Sequence, residues 1–298
     1  MRKRVQIVLA VLLVAVLGLI ILAFFPRQAP EPAYEGKTLR QWLVLLDSDT
    51  AHKAQNDDAA RAIESMGKAA LPGLIHILHQ RQDPALLAKV KGWAFRFHLL
   101  RPPELQLDEW QYRAARGCCI LGGWIDVDIT SAIPALACHT TNAASWRLEP
   151  FMWGLVYSGP KGISIVTNLL AHAASPQVRE EAARSLWITP KIRTPEIAYA
   201  LLSATRDVDA SVRVTAILSL RSFLRQKGLD TIIVPGAILG LQDTNSQVRR
   251  WTIELLGNYS STPGVSAALS NLLSDPVPEV RSRAEEVLQK TGSEGGQK

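Results

Sequence analysis

The stretch Asp243–Gly257, DTNSQVRRWTIELLG, decides the fold. It reads as a turn followed by an amphipathic helix. Asp243 and Asn245 are turn residues, and Val248, Thr252, Ile253, Leu255 and Leu256 follow at helical spacing. The pair Gly257-Asn258 suits the left-handed backbone that commonly ends a helix, so the helix is expected to stop there. The same pattern recurs on both sides. DVDASVRVTAILSL starts at Asp207 and DPVPEVRSRAEEVL at Asp275. Each has an Asp, then Val-Arg five and six residues on, then apolar residues four and eight after the Val. Aligned on arginine, the series is Arg113, Arg147, Arg179, Arg213, Arg249 and Arg281, with steps of 34, 32, 34, 36 and 32 residues. A helical pattern repeating near that period is the signature of a solenoid of stacked helix pairs.

Working outward, the pairs continue in both directions. Thr38 caps LRQWLVLL, ending at Leu46, and Asp47-Ser48-Asp49 breaks it. A helix is expected from Asp57 to Gly67, and LPGLIHILHQ follows with Pro72 in its first turn, where a missing N–H does no harm. LLAKVKGWAFRFHLL reads as helical but departs from the rhythm, so residues 84–109 are read as an insertion. WQYRAARGCCILGG, ITSAIPALACHT, SWRLEPFMWGLVYSG, KGISIVTNLLAHA, SPQVREEAARSLWI and PEIAYALLSAT restore the alternation. IIVPGAILGLQ and PGVSAALSNLLS supply the remaining first helices. No strand alternates with these helices and no Gly-rich phosphate loop appears. The expected fold is all-α, an α-solenoid of about seven helix pairs over residues 38–291, with residues 292–298 as a frayed tail.

The N-terminus reads differently. MRKR precedes VQIVLAVLLVAVLGLIILAFF, Val5 to Phe25, a run with no charge. As a helix it would be about 31 Å long, enough to cross a bilayer's hydrocarbon core. It is longer than a signal peptide's apolar region, and no small-residue cleavage pattern follows it. Residues 1–25 are therefore read as a short cytoplasmic stub and a single transmembrane anchor. The basic cluster before the run orients the body outside the cytoplasm. In a bacterium this is the inner membrane, with the body periplasmic. Residues 26–37, PRQAPEPAYEGK, are read as an extended spacer.

Charge narrows the function. The formal net charge is +6, from 33 basic and 27 acidic residues. Arg2, Lys3 and Arg4 account for half of it, leaving 30 basic against 27 acidic residues, or +3. That is not the concentrated basic face of a nucleic-acid binder, and no nucleic-acid partner is expected. Three cysteines, Cys118, Cys119 and Cys138, are too few for a disulfide framework and sit among apolar neighbours. Outside the cytoplasm, a bond from Cys138 to Cys118 or to Cys119 stays open. His76 and His79 stand three apart on one helix, with Asp83 and His98 as the nearest further ligands. They complete no metal-site spacing. There is no G-x-S-x-G and no H-E-x-x-H. No catalytic residue, cofactor or metal is assigned. The repeating Asp and Arg are read as structural, bonding turn amides and linking neighbouring repeats.

These residues resemble the HEAT-repeat family, close to its PBS-lyase-type variety. The likeness rests on the early prolines Pro72, Pro134, Pro195, Pro235 and Pro263, and on Asp207 with Val212-Arg213, Asp243 with Val248-Arg249, and Asp275 with Val280-Arg281. Val178-Arg179 lacks the Asp, since position 173 is Ala, and Arg147 and Arg113 follow Trp146 and Tyr112 instead of Val. YEGKTLRQWLVLL and the run to AALPGLI look like membrane-anchored bacterial HEAT-repeat proteins. The resemblance implies a curved stack of helix pairs, with second helices lining the concave face, and a protein-binding scaffold. On that face the second-helix positions Arg184, Arg221, Arg250, Trp251 and Arg283 are the candidate protein-binding residues, with Trp251 expected to be exposed. Trp42, Trp93, Trp110, Trp124, Trp153 and Trp187 are read mostly as packing between helices. The expected function is a membrane-anchored scaffold binding another protein outside the cytoplasm. The alternatives are an enzyme on the same scaffold, PBS-lyase-like or otherwise, and an envelope component without a discrete site.

Overall fold

The computed structural model describes residues 31–46, 53–81, 105–140, 148–187, 193–224 and 226–295, together with Lys89, Trp93 and Arg96. The apolar run Val5–Phe25, Arg147, Asp83, His98 and nearly all of the insertion's helix lie outside them. Among the described residues no helix is long and apolar enough to cross a membrane.

The described chain is all-helical apart from one hairpin. The helices are α1 (Leu39–Leu45), α2 (Lys53–Met66), α3 (Leu71–Leu78), α4 (Leu107–Cys119), α5 (Ile133–Ala137), α6 (Glu149–Tyr157), α7 (Pro160–His172), α8 (Pro176–Ser185), α9 (Pro195–Ala204), α10 (Ala210–Phe223), α11 (Asp230–Ala237), α12 (Ser246–Leu256), α13 (Pro263–Asn271) and α14 (Pro278–Gly295). They form two layers. The second helices α4, α6, α8, α10, α12 and α14 pack each against the next. In the other layer α7 meets α9, and α9 meets α11. Between the layers runs one apolar core, from Leu39 and Leu43 through Leu121, Met152, Phe223 and Ile253 to Val287. This is the stack that the period near 34 residues requires, because no single pair can bury its apolar face alone.

The turns explain the repeating motif. Asp207 Oδ1 accepts the Asp209 amide, and Asp209 then caps α10 by accepting from Ser211 N (2.8 Å) and Val212 N. Asp243 and Asn245 repeat this at α12, with Asn245 accepting from Gln247 N and Val248 N. Each cap satisfies amides that a helix start leaves without partners. Before α14 the Asp275–Val277 bond recurs, but Val277 stands where Asp209 and Asn245 cap, and the helix opens on Pro278.

Three expectations are corrected. First, Gly257 is right-handed, at φ −54°, and the chain runs on into a 3₁₀ turn, Gly257–Tyr259. Its carbonyl accepts the Ser260 amide and hydroxyl, so a left-handed glycine is not needed to close the helix. Second, α2 begins at Lys53, four residues before Asp57, because Asp57 and Asp58 sit inside the helix and do not cap it. Third, residues 31–38 are not an extended spacer. Ala33–Tyr34 and Lys37–Thr38 pair antiparallel about Glu35 (φ 49°) and Gly36 (φ 75°). Trp42 Nε1 donates to Tyr34 O at 3.0 Å, Lys37 stands over the Trp42 ring, and Arg40 pairs with Glu31. The hairpin is thereby fastened to α1, which Thr38 caps as expected, in a capping box completed by the Gln41 side chain.

Candidate functional site

Three arginine–aspartate pairs join successive second helices. Arg179 meets Asp207 through Nε (2.7 Å) and Nη2 (2.8 Å), Arg213 meets Asp243 at 2.8 Å twice, and Arg249 meets Asp275 at 2.7 Å twice. In each case the arginine's Nη1 also donates to two carbonyls of its own turn, such as Asp243 O and Thr244 O for Arg249. One side chain thus ties its own turn to the next repeat with planar, two-pronged geometry that lysine lacks. The adjoining guanidinium holds the carboxyls of Asp207 and Asp275 below the usual carboxylate range. Arg281 makes the carbonyl bonds, to Asp275 O and Pro276 O. Arg113 departs: it is buried, pairs with Glu109 at 2.6 Å, and donates to Leu43 O and Val44 O at the end of α1. The expected ladder is present from α8 to α14, with a different attachment at α4.

The ladder sets the second helices in register, so their solvent-facing positions form one row. Arg184, half-exposed on α8, is tied to Glu180 and Glu181. Leu218 and Arg221, three apart and therefore neighbours on α10, are both exposed, and Arg221 makes no ion pair among the described residues. Arg250 on α12 stacks over Trp251, its guanidinium carbon 5.0 Å from the ring centre. Trp251 is not the exposed side chain expected: it is half-buried and packs against the core. Arg283 on α14 pairs with Glu254 and Glu286. The row is therefore of mixed charge, not uniformly basic; its unneutralised guanidiniums are Arg221 and Arg250.

At the start of this row lies a misfit carboxyl. Glu181 is largely buried, and its Oε1 has no hydrogen-bond partner among the described residues. Burial pushes its pKa up to about 7, Glu149 and Glu180 push the same way, and Arg184 opposes them. On α6, Trp153 likewise buries a ring N–H that has no partner among the described residues.

The other layer carries a groove of about 740 Å³ that the sequence reading missed. It is walled by Gly122, Gly123 and Asp126 after α4, by the end of α6 with the first half of α7, and by the start of α9. Here α4 widens into a π turn, Ile120–Trp124, of the kind often found at functional sites. The Val127 amide reaches back to Leu121 O at 2.8 Å, with Asp126 left-handed at φ 58°. A side chain at Gly123 would sit 2.7 Å from the Tyr157 ring, so the missing Cβ is what lets that ring form a wall. Burial raises the Tyr157 phenol above its ordinary value. Across the groove, the Thr194 side chain and the backbone amide of Glu196 hold the Glu196 carboxyl below its ordinary value. The signal in the sequence was Gly122-Gly123 interrupting a helical pattern.

The tryptophan reading is corrected too. Trp124 is 64% exposed and Trp187 49%, so packing does not account for them, and Trp93 is 57% exposed. Trp42 is buried and Trp110 half-buried, as expected. Among the described residues Cys118, Cys119 and Cys138 form no disulfide: Cys119 Sγ donates to Pro150 O and Cys138 Sγ to Ala135 O. Burial pushes the Cys118 thiol up to about 12 and raises Cys119 as well, which makes both poor nucleophiles. His76 and His79 line a smaller groove with Lys68 and Pro72. Among the described residues no group of three or more His, Cys, Asp or Glu is placed to hold a metal.

The molecule is, in class, a two-layered helical-repeat protein. No family model matches the chain, and no curated protein matches it. Solved structures to which the chain is similar include YibA of Escherichia coli, 17% identical over 74% of this chain and 83% of that one, with a TM-score of 0.44. The complex of CpcE and CpcF of phycocyanin lyase from Nostoc is 16% identical over 89% of this chain and 99% of that one, at 0.36. Human deoxyhypusine hydroxylase is 18% identical over 86% and 84%, also at 0.36.

Proposed function

We propose that this protein is a HEAT-type scaffold that binds another protein along its second-helix row, and that Val5–Phe25 tethers it to a membrane with the repeats outside the cytoplasm. The observation that supports the reading is the register imposed by the Arg179–Asp207, Arg213–Asp243 and Arg249–Asp275 pairs. They align Leu218, Arg221, Arg250 and Trp251 on adjacent helices, without consuming Arg221 or Arg250 in ion pairs. An apolar and cationic row of this composition fits a partner segment that carries acidic and apolar side chains, because arginine and tryptophan are the residues on which interfaces most depend. Arg184 and Arg283 flank it, each already held by carboxylates.

A photo-crosslinking residue at Leu218 in the full-length membrane protein tests this. The expected outcome is one dominant crosslinked partner, lost on Arg221→Glu with Arg250→Glu. A crosslink pattern unchanged by that double variant would refute the row as the site. Reporter fusions after residue 37 test the tether: activity of an export-dependent reporter is expected, and activity only of a cytoplasmic reporter excludes the stated orientation.

A further inference from the structure

The groove in the first-helix layer has a chemistry opposite to that of the second-helix row. Its charged lining residues are Asp126 and Glu196, and among the described residues no Lys, Arg or His lines it. Glu196 is kept ionised by Thr194 and its own amide. One wall is the ring of Tyr157, laid over Gly123, and the floor is apolar, from Val156, Ile163 and Ile197. Carboxylates beside an aromatic face in a partly apolar cleft are what a guanidinium or ammonium seeks: ion pairing from one side and the ring's negative face from the other. At about 740 Å³ the cleft holds a few side chains, not a whole domain.

We propose that this groove is a second docking site, taking a partner's peptide segment in which a Lys or Arg is flanked by apolar residues. The basic side chain lies between Asp126, Glu196 and the Tyr157 ring, and the flanking residues cover Ile163 and Ile197. The site is independent of the second-helix row and stands or falls separately from it.

The test is selection of displayed random peptides on the full-length protein in detergent micelles, followed by binding of the selected peptides to variants. Peptides with Lys or Arg between apolar residues are expected to be enriched. They should lose at least tenfold in affinity to the Asp126→Asn, Glu196→Gln double variant, and when their basic residue is replaced by citrulline or norleucine. Binding to Arg221→Glu should be unchanged, which separates this groove from the row. Asp126→Asn keeps a residue that tolerates left-handed backbone, and an unchanged circular dichroism spectrum and melting temperature establish that the variant is folded. Failure to select peptides, selection without basic residues, or equal affinity for wild type and the double variant overturns the proposal.

Discussion

At the residue scale, the repeating Asp and Arg are stability devices, and their burial decides how much each matters. Arg249 and Asp275 are the most enclosed pair, with side-chain exposures of 9% and 4%. Removing one partner strands the other charge away from water, so Arg249→Ala is expected to cost about 3–5 kcal/mol by urea denaturation. The cost should exceed that of Arg184→Ala, whose pairs are half-exposed and worth about 1 kcal/mol or less. Acid acts on the same pairs. Asp207 and Asp275 have native pKa values below the unfolded value of about 3.9, so the native state binds protons less readily. Their contribution is complete above that value and is lost as pH falls through the depressed native values. Glu181 has the opposite sign. Its native pKa of about 7 lies above the unfolded value, so the native state is penalised progressively as pH rises from about 4.5 to 7. Glu181→Gln is therefore expected to raise the melting temperature at pH 8 and to change it little at pH 4.5. Equal shifts at the two pH values would show that Glu181 is not held protonated by burial.

Between elements, what the sequence made legible was periodic, and what it hid was local. Period and apolar spacing are properties of strings, and they placed nearly every helix from α7 onward within a few residues. The ladder was readable for the same reason, since Asp207, Asp243 and Asp275 recur with their arginines. The groove was not, because it arises where the repeat is broken. Among the described residues the π turn at Ile120–Trp124, with left-handed Asp126 after it, has no counterpart in the other repeats, so no repetition announces it. Trp251 and Trp124 were misjudged in opposite directions for a related reason. Helical spacing gives the angle of a side chain about its own axis, but burial depends on the neighbouring helix. The α6–α7 corner shows how sharply such contacts are set. Gly159, at φ 84°, turns the chain into Pro160, and a Cβ on Gly162 would lie 2.0 Å from the Leu155 carbonyl oxygen. That obstacle is backbone, which cannot rotate aside. Gly162→Ala is expected to destabilise by at least about 2 kcal/mol, against the usual gain from placing Ala in a helix. A neutral or stabilising result by thermal melting would mean that α6 and α7 separate readily.

Across the whole molecule, stability is a chain of nearest-neighbour couplings, because each repeat touches mainly the repeats beside it. The Arg213–Asp243 pair is the side-chain ion pair that joins α10 to α12, and Arg213 also fastens the Asp207 turn below it. Severing it leaves the packing within each pair intact while weakening one junction. Arg213→Ala is therefore expected to loosen the chain unevenly. By hydrogen exchange, amides of α12, α13 and α14 should exchange faster, since they lose a neighbour on one side. Amides of α1, α3 and α4, several repeats away, should keep their protection. A compact domain whose elements all pack on one another would behave otherwise: a substitution of this kind lowers the single global barrier and accelerates the slowest amides everywhere. Uniform acceleration would thus refute the solenoid's energetic independence, even though its geometry is plainly layered. If the uneven pattern is found, the two proposed docking sites can be loaded separately. The groove at α4, α7 and α9 lies on repeats before the severed junction, and Arg250 and Trp251 lie beyond it. Arg213→Ala should then weaken partner binding at the row while leaving the basic-peptide affinity of the groove unchanged.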